Sequence, residues 1–152
     1  MKEIKGNIWD YHPEHCIVIP TNLSLNKKGN AIMGKGLALD AAKRFSTLPC
    51  KYGKWLQDFQ KENYIQGVRS FQYSIENLYL LPTKYNWRDK SDLELIIKGV
   101  KQLVSLLDAL PVIGSVYLPR LGCGLGGLDW EEVKSAIEPL LDNRFIIVEK
   151  EV

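Results

Sequence analysis

Short apolar runs alternate along the chain with longer stretches in which apolar residues recur every three or four positions, and this alternation predicts an α/β fold. Six runs read as strands: Glu3 to Ile8, Cys16 to Pro20, Gly67 to Tyr73, Leu78 to Thr83, Ser115 to Pro119 and Phe145 to Glu149. The clearest helix is expected from Ser91, because Ser91-Asp-Leu-Glu94 has the form of a capping box. Leu93, Ile96, Ile97, Val100, Leu103, Val104 and Leu107 then make one apolar stripe, suited to covering a sheet face. A second helix is expected from Asp129, with Val133, Ala136, Ile137, Leu140 and Leu141 as its buried side and Pro139 kinking or shortening its last turn. Further helices are expected from Gly36 to Phe45, narrow and Ala-rich, and from Lys51 to Gln60. Together these elements predict a mixed, roughly six-stranded sheet with helices on both faces.

Composition narrows the classes that such a fold could serve. A length of 152 residues suits a single domain, and 45% hydrophobic with 25% charged residues supplies a core without disulfides or a structural metal. Twenty Lys and Arg against 18 Asp and Glu leave a net charge of +2, too little to coat nucleic acid by bulk electrostatics, so any anion must be bound locally. Cys16, Cys50 and Cys123 are odd in number and far apart, as expected of free thiols in a reducing cytosol. The first residues lack the apolar core of a signal peptide, and no apolar run approaches the roughly 20 residues that cross a bilayer. A cytoplasmic monomer without a membrane partner is the expectation.

The richest stretch is Ser115-Val-Tyr-Leu-Pro-Arg-Leu-Gly-Cys-Gly-Leu-Gly-Gly-Leu-Asp-Trp130, which runs from a strand through a glycine loop into a helix. Gly122, Gly124, Gly126 and Gly127 can bring backbone amides close to a ligand, and the following helix would add unpaired N–H groups and the positive end of its dipole. A phosphate or diphosphate is the expected guest. Gly122-x-Gly124-x-x-Gly127 also satisfies the dinucleotide fingerprint, but it stands near the end of the chain, with no room for the strands such a domain needs. A P-loop is excluded, because no Lys-Ser/Thr follows the glycines.

A second unit of this kind runs from Ile17-Val-Ile-Pro-Thr-Asn22 to a loop ending Gly29-Asn-Ala-Ile-Met-Gly-Lys-Gly36. If its strand is a parallel neighbour of the first, the two glycine loops meet at one sheet edge and can close on a diphosphate without metal. Asn22 at the strand end could bond a ribose hydroxyl or simply make a turn. Lys27, Lys28 and Lys35 make the loop basic. In Leu80-Leu-Pro-Thr-Lys-Tyr-Asn-Trp-Arg88, Lys84 follows a very apolar strand and lies among Tyr85, Trp87 and Arg88. Partly desolvated, it would be an amine able to attack an electrophilic carbon; as an ammonium it would hold a phosphate.

Other candidates carry less. His12, His15 and Cys16 lie within five residues but have no matching distal ligands, so no metal is expected. Cys123 has no histidine placed as its base and reads as a small side chain filling a tight loop. Tyr52, Trp55, Phe59 and Trp130 read as core or rim aromatics, with stacking on an adenine as the alternative for one near the pocket.

Ile17 to Asn22, Asn30 to Leu39, Pro82 to Arg88 and Leu118 to Trp130, in that order, together resemble the macrodomain family over nearly the whole chain. Within it the chain looks similar to the branch holding the DarG antitoxin macrodomain, which removes ADP-ribose from DNA, and the terminal ADP-ribose protein glycohydrolase, which removes it from acidic side chains. The resemblance implies a three-layer αβα sandwich that binds ADP-ribose, or ADP-ribosylated DNA or protein, without a cofactor. It implies that Gly122, Cys123, Gly124, Leu125, Gly126 and Gly127 hold the diphosphate, that Gly34, Lys35 and Gly36 border the distal ribose, and that Asn22 contacts its hydroxyls. Lys84 matches the lysine on which catalysis depends in both relatives. Asn7 and Ile8 stand where many members have Asp-Ile or Asp-Leu beside the adenine, and Gly126 where the protein glycohydrolase has an acid. The activities implied are hydrolysis of an ADP-ribosyl link, binding without turnover, or removal of phosphate from ADP-ribose 1''-phosphate.

Overall fold

The computed structural model describes residues 1–61, 68–71, 76–109 and 114–151. In chain order they form β1 (Lys2–Gly6), β2 (Cys16–Asn22), α1 (Gly36–Arg44), α2 (Leu48–Lys61), β3 (Arg69–Phe71), β4 (Leu78–Lys84), α3 (Leu93–Ala109), β5 (Val116–Leu118), α4 (Trp130–Ile137) and β6 (Phe145–Lys150). Single 3₁₀ turns at Ile8–Tyr11 and Glu138–Leu140 join the set. The strands make a six-stranded sheet in the order β1-β6-β5-β2-β4-β3. All neighbours are parallel except β3, which runs antiparallel to β4.

Parallel strands covered on both faces need apolar residues at successive positions, and β2 and β4 supply them. Ile17 and Ile19 face one core with Leu78 and Leu80, while Val18 faces the other with Tyr79 and Leu81. Ala41 of α1 and Leu48, Tyr52 and Leu56 of α2 close the first core. Ile96, Val100 and Leu103 of α3 and Val133 and Ile137 of α4 close the second. The outcome is three layers, helix pair, sheet and helix pair, in which each fully buried Ile or Leu contributes roughly 1.5–3 kcal/mol.

Several boundaries differ from the sequence reading, each for a local reason. β1 stops at Gly6 rather than Ile8, because Asn7 turns the chain: its Oδ1 accepts from the Trp9 amide at 3.0 Å and caps the first 3₁₀ turn. The capping box at Ser91 does not form. Asp92 caps α3 instead, its Oδ1 accepting from the Leu95 amide at 3.0 Å. Ser91 is diverted because its own amide donates to the Gly126 carbonyl at 2.9 Å, which ties it to the second glycine loop. The helix expected from Lys51, α2, begins already at Leu48, and α4 passes at Ile137 into the 3₁₀ turn that contains Pro139. Of the expected strand Gly67 to Tyr73, Arg69–Phe71 is formed, while Gly67 and residues 72–73 lie outside the described residues.

Candidate functional site

β1, β2, β4, β5 and β6 point the same way, so the loops that leave their carboxyl ends gather at one sheet edge, the usual place for a ligand in such sheets. β2 and β5 are adjacent there, as the two-loop reading requires. Across the β2–β4 pair Asn22 stands opposite Lys84, and the Leu23 amide donates to the Lys84 carbonyl at 3.1 Å. The half-buried Lys84 is therefore the last residue of β4, fixed beside the start of the first glycine loop.

The second loop is a compact cradle. The Leu128 amide donates to the Gly122 carbonyl at 2.9 Å and the Gly127 amide to the Gly124 carbonyl at 3.2 Å. Gly122 has φ +74°, and a Cβ there would meet Ile96 Cδ1 at 2.8 Å. Gly126 is equally constrained, since its Cβ would lie 2.6 Å from the Gly122 carbonyl oxygen and closer still to Ser91 Oγ. Gly124, by contrast, faces open space. Among the described residues the amides of Gly124, Leu125 and Gly126 have no acceptor in the protein. Three consecutive free donors beyond a strand end are the chemistry that anion binding requires.

The first loop meets this cradle from the other side. Asn22 shapes it, with Oδ1 accepting from the Ser24 amide at 2.9 Å and Nδ2 donating to the Ile32 carbonyl at 3.0 Å. α1 begins at Gly36 with no side-chain cap from Lys35 and no acid in its first turn, so the amides of Gly36, Leu37 and Ala38 stay unpaired among the described residues. A Cβ on Gly36 would lie 4.0 Å from Leu125 Cδ1, which places the two loops face to face. Gly34 and Lys35 are exposed at the rim.

The helix N-terminus left uncapped at this edge is not the expected one. The sequence pointed to the helix after the second loop, but Asp129 caps α4, accepting from the Glu132 amide at 3.3 Å, and Glu131 and Glu132 occupy its first turn. Those carboxylates already use that dipole, leaving the uncapped α1 as the positive end that faces the cradle. The absence of Ser, Thr, Asp or Asn before Gly36 was the available signal.

Cys123 donates from Sγ to the Leu121 carbonyl at 3.3 Å, and burial raises its pKa, so it remains a thiol. This fits a loop-filling side chain. Asn7 lies at the same sheet edge, beyond β6, with one lone pair of its Oδ1 committed to Trp9, while Ile8 is buried. His15 Nδ1 accepts from the Ser115 amide at 2.9 Å, and His12 packs edge-on against Trp9 and Phe45. Among the described residues no group of three His, Cys, Asp or Glu could hold a metal ion, and no helix is long and apolar enough to cross a membrane. Ser91 is the participant that sequence reading assigned elsewhere: 6% exposed, it stands under Gly126 with an unpartnered hydroxyl.

A mixed sheet between helix pairs, with facing glycine loops at the ends of its two central parallel strands, defines a macrodomain, and the chain belongs to that family. It is similar to the solved macrodomain of Mycobacterium tuberculosis DarG, with a TM-score of 0.75 and 29% identity over 97% of this chain and 95% of that one. The macrodomain of Thermus aquaticus DarG gives a TM-score of 0.72 and 28% identity over 99% and 97% of the two chains. Among curated proteins, the DNA ADP-ribosyl glycohydrolase of Thermus aquaticus is 36% identical over 148 residues, 93% of this chain. The chain spans 38% of that relative's length. No protein-family model matches the chain.

Proposed function

We propose that the chain is an ADP-ribosyl glycohydrolase, which holds ADP-ribose between its two glycine loops and breaks the link to a macromolecular target, DNA or an acidic protein side chain, with Lys84 essential. The observation that carries this reading is the meeting of two facing glycine loops at the sheet edge where β4 ends in Lys84: free amides at Gly124 to Gly126 and the uncapped start of α1 suit a diphosphate, and Lys84 stands beside Asn22 on the neighbouring strand. The name of the Thermus relative supports it.

In this reading the diphosphate lies along Gly122 to Gly127, the distal ribose borders Gly34 to Gly36, and the adenine reaches toward Asn7 and Ile8. Asn22 and Asn7 each keep one free lone pair on Oδ1 beyond the bonds they make, enough for a hydroxyl or an amine. The Lys84 amine attacks the anomeric carbon of the distal ribose. The carbon–target bond breaks as the carbon–nitrogen bond forms, and the target leaves with a proton. Water then releases ADP-ribose and restores the lysine. Position 126 accommodates no side chain, so this loop contributes no acid and the step depends on the lysine.

The test is release of free ADP-ribose from ADP-ribosylated single-stranded DNA and from acid-linked ADP-ribosylated protein. Lys84→Ala and Lys84→Arg are expected to lower release by at least about a hundredfold, while both still bind ADP-ribose. Wild-type binding of ADP-ribose without release from either substrate would overturn the hydrolase and leave a protein that only binds.

A further inference from the structure

Rings that a globular chain leaves in water, next to its chemistry, call for an explanation. Tyr85 is 43% and Trp87 42% exposed, although Tyr52, Tyr79 and Phe145 are fully buried. Both rings stand on a built turn: the Trp87 amide donates to Ser24 Oγ at 3.0 Å, the Arg88 amide to Asn86 Oδ1 at 3.1 Å, and the Asp89 amide to the Asn86 carbonyl at 3.0 Å. The Arg88 guanidinium sits over the Trp87 ring, 5.0 Å from its centroid, and places a cation at the platform. Leu23, Ser24, Leu25, Tyr85, Asn86 and Trp87 line a cavity of about 320 Å³, which opens immediately after Lys84 in the chain.

The surrounding charge favours a polyanion. No Asp or Glu occurs from Cys16 to Leu39, whereas Lys27, Lys28 and Lys35 lie in the adjoining loop. Arg88 and Lys90 flank the aromatics, and of the two nearby acids, Asp89 and Asp92, the second is occupied in capping α3. Aromatic rings beside fixed cations are the recurrent device for single-stranded nucleic acid, since each base offers a face to stack and each phosphate a charge to pair. Duplex bases already stack on one another, and an acidic peptide would use the cations but not the rings.

We propose that Tyr85 and Trp87 form a stacking platform for unpaired nucleobases of a modified single strand, holding the flanking nucleotides beside Lys84. The inference rests on the hydrolase reading and assigns its target side. Full-length wild type, Trp87→Ala, Tyr85→Ala and Trp87→Phe would be compared on free ADP-ribose, an ADP-ribosylated mononucleoside, a single-stranded oligonucleotide carrying one ADP-ribosyl group, and an ADP-ribosylated acidic peptide. Either alanine variant is expected to raise KM and Kd for the oligonucleotide roughly tenfold at constant kcat. Affinity for ADP-ribose and turnover of the mononucleoside should hold, and Trp87→Phe should restore most of the loss.

An unchanged oligonucleotide KM in both alanine variants would overturn the platform. So would an equal loss on free ADP-ribose or on the peptide. Tight, Trp87-dependent binding of the modified oligonucleotide without release of ADP-ribose would refute the hydrolase and leave the platform standing.

Discussion

At the scale of single residues, the site is set by where side chains are forbidden. Gly126 is the sharpest case, because the obstacles to a Cβ are the Gly122 backbone oxygen at 2.6 Å and the hydroxyl of the buried Ser91. A side chain can swing aside, but a carbonyl already accepting the Leu128 amide can move only if the cradle opens. Gly126→Ala is therefore expected to weaken ADP-ribose binding at least about tenfold and to destabilise the fold by roughly 1–3 kcal/mol, the range for an overpacked position. Adding Ser91→Ala should recover part of the loss, since it removes one obstacle and leaves the other. Calorimetric Kd values and melting curves for the single and double variants would check this, and full recovery would show that the backbone clash carries no weight. Gly124, with open space around it, should accept Ala with far less effect. The sequence announced the cradle through its run of glycines, because close approach of backbone leaves that local mark. It could not announce Ser91, whose cap-like position was overridden by a bond to a loop 35 residues downstream, Gly126.

At the scale of elements, the two helices that follow the glycine loops have opposite N-termini. α4 is capped by Asp129 and carries two further acids in its first turn, whereas α1 starts at Gly36 with Lys35 extended at the cap position (φ −146°, ψ 158°) and nothing bonded to its first amides. That backbone is already what a capping residue needs. Lys35→Asp is thus expected to stabilise the fold by about 0.5–2 kcal/mol while placing a carboxylate beside the distal ribose, facing the loop proposed to hold the diphosphate, with a loss of ADP-ribose affinity of roughly tenfold or more. Lys35→Ser supplies the cap without the charge and should give the gain in stability with a smaller loss in binding. A variant pair in which neither melting temperature nor affinity moves would remove α1 from the anion site. All four helices were expected, and the periodicity was legible for α3 and α4, whose buried stripes are local in sequence. Which terminus stayed free was legible only in part, because a missing cap is informative only once a facing loop is known.

At the scale of the whole molecule, the sheet order was the least legible feature. Apolar runs say that a strand is covered on both faces, but nothing local says that the first strand pairs with the last, as β1 and β6 do in parallel register. β1 is also tied to α4, partly by electrostatics. Glu3 on β1 accepts from Lys134 Nζ at 2.7 Å and from Trp130 Nε1 at 2.9 Å, both on α4. The hydrogen bond from Lys134, aided by that from Trp130, holds the Glu3 carboxyl below its ordinary value of 4.5, and Glu3 in turn raises Lys134 above 10.5. A carboxylate with a depressed folded pKa stabilises fully above its unfolded value and loses that contribution as pH falls through the folded one. For Lys134 the sign reverses, its contribution being full below 10.5 and lost as pH rises through the higher folded value. The pair therefore stabilises across neutral pH and fails first in acid. Glu3→Gln keeps an acceptor for Trp130 but no charge, so its melting temperature should fall below wild type by a constant amount near neutrality, and the gap should close below pH 4.5. Because both side chains are partly exposed, added salt should narrow the same gap at neutral pH. A gap that persists undiminished at pH 3 and in high salt would mean that Glu3 contributes through its hydrogen bonds and packing and not through its charge.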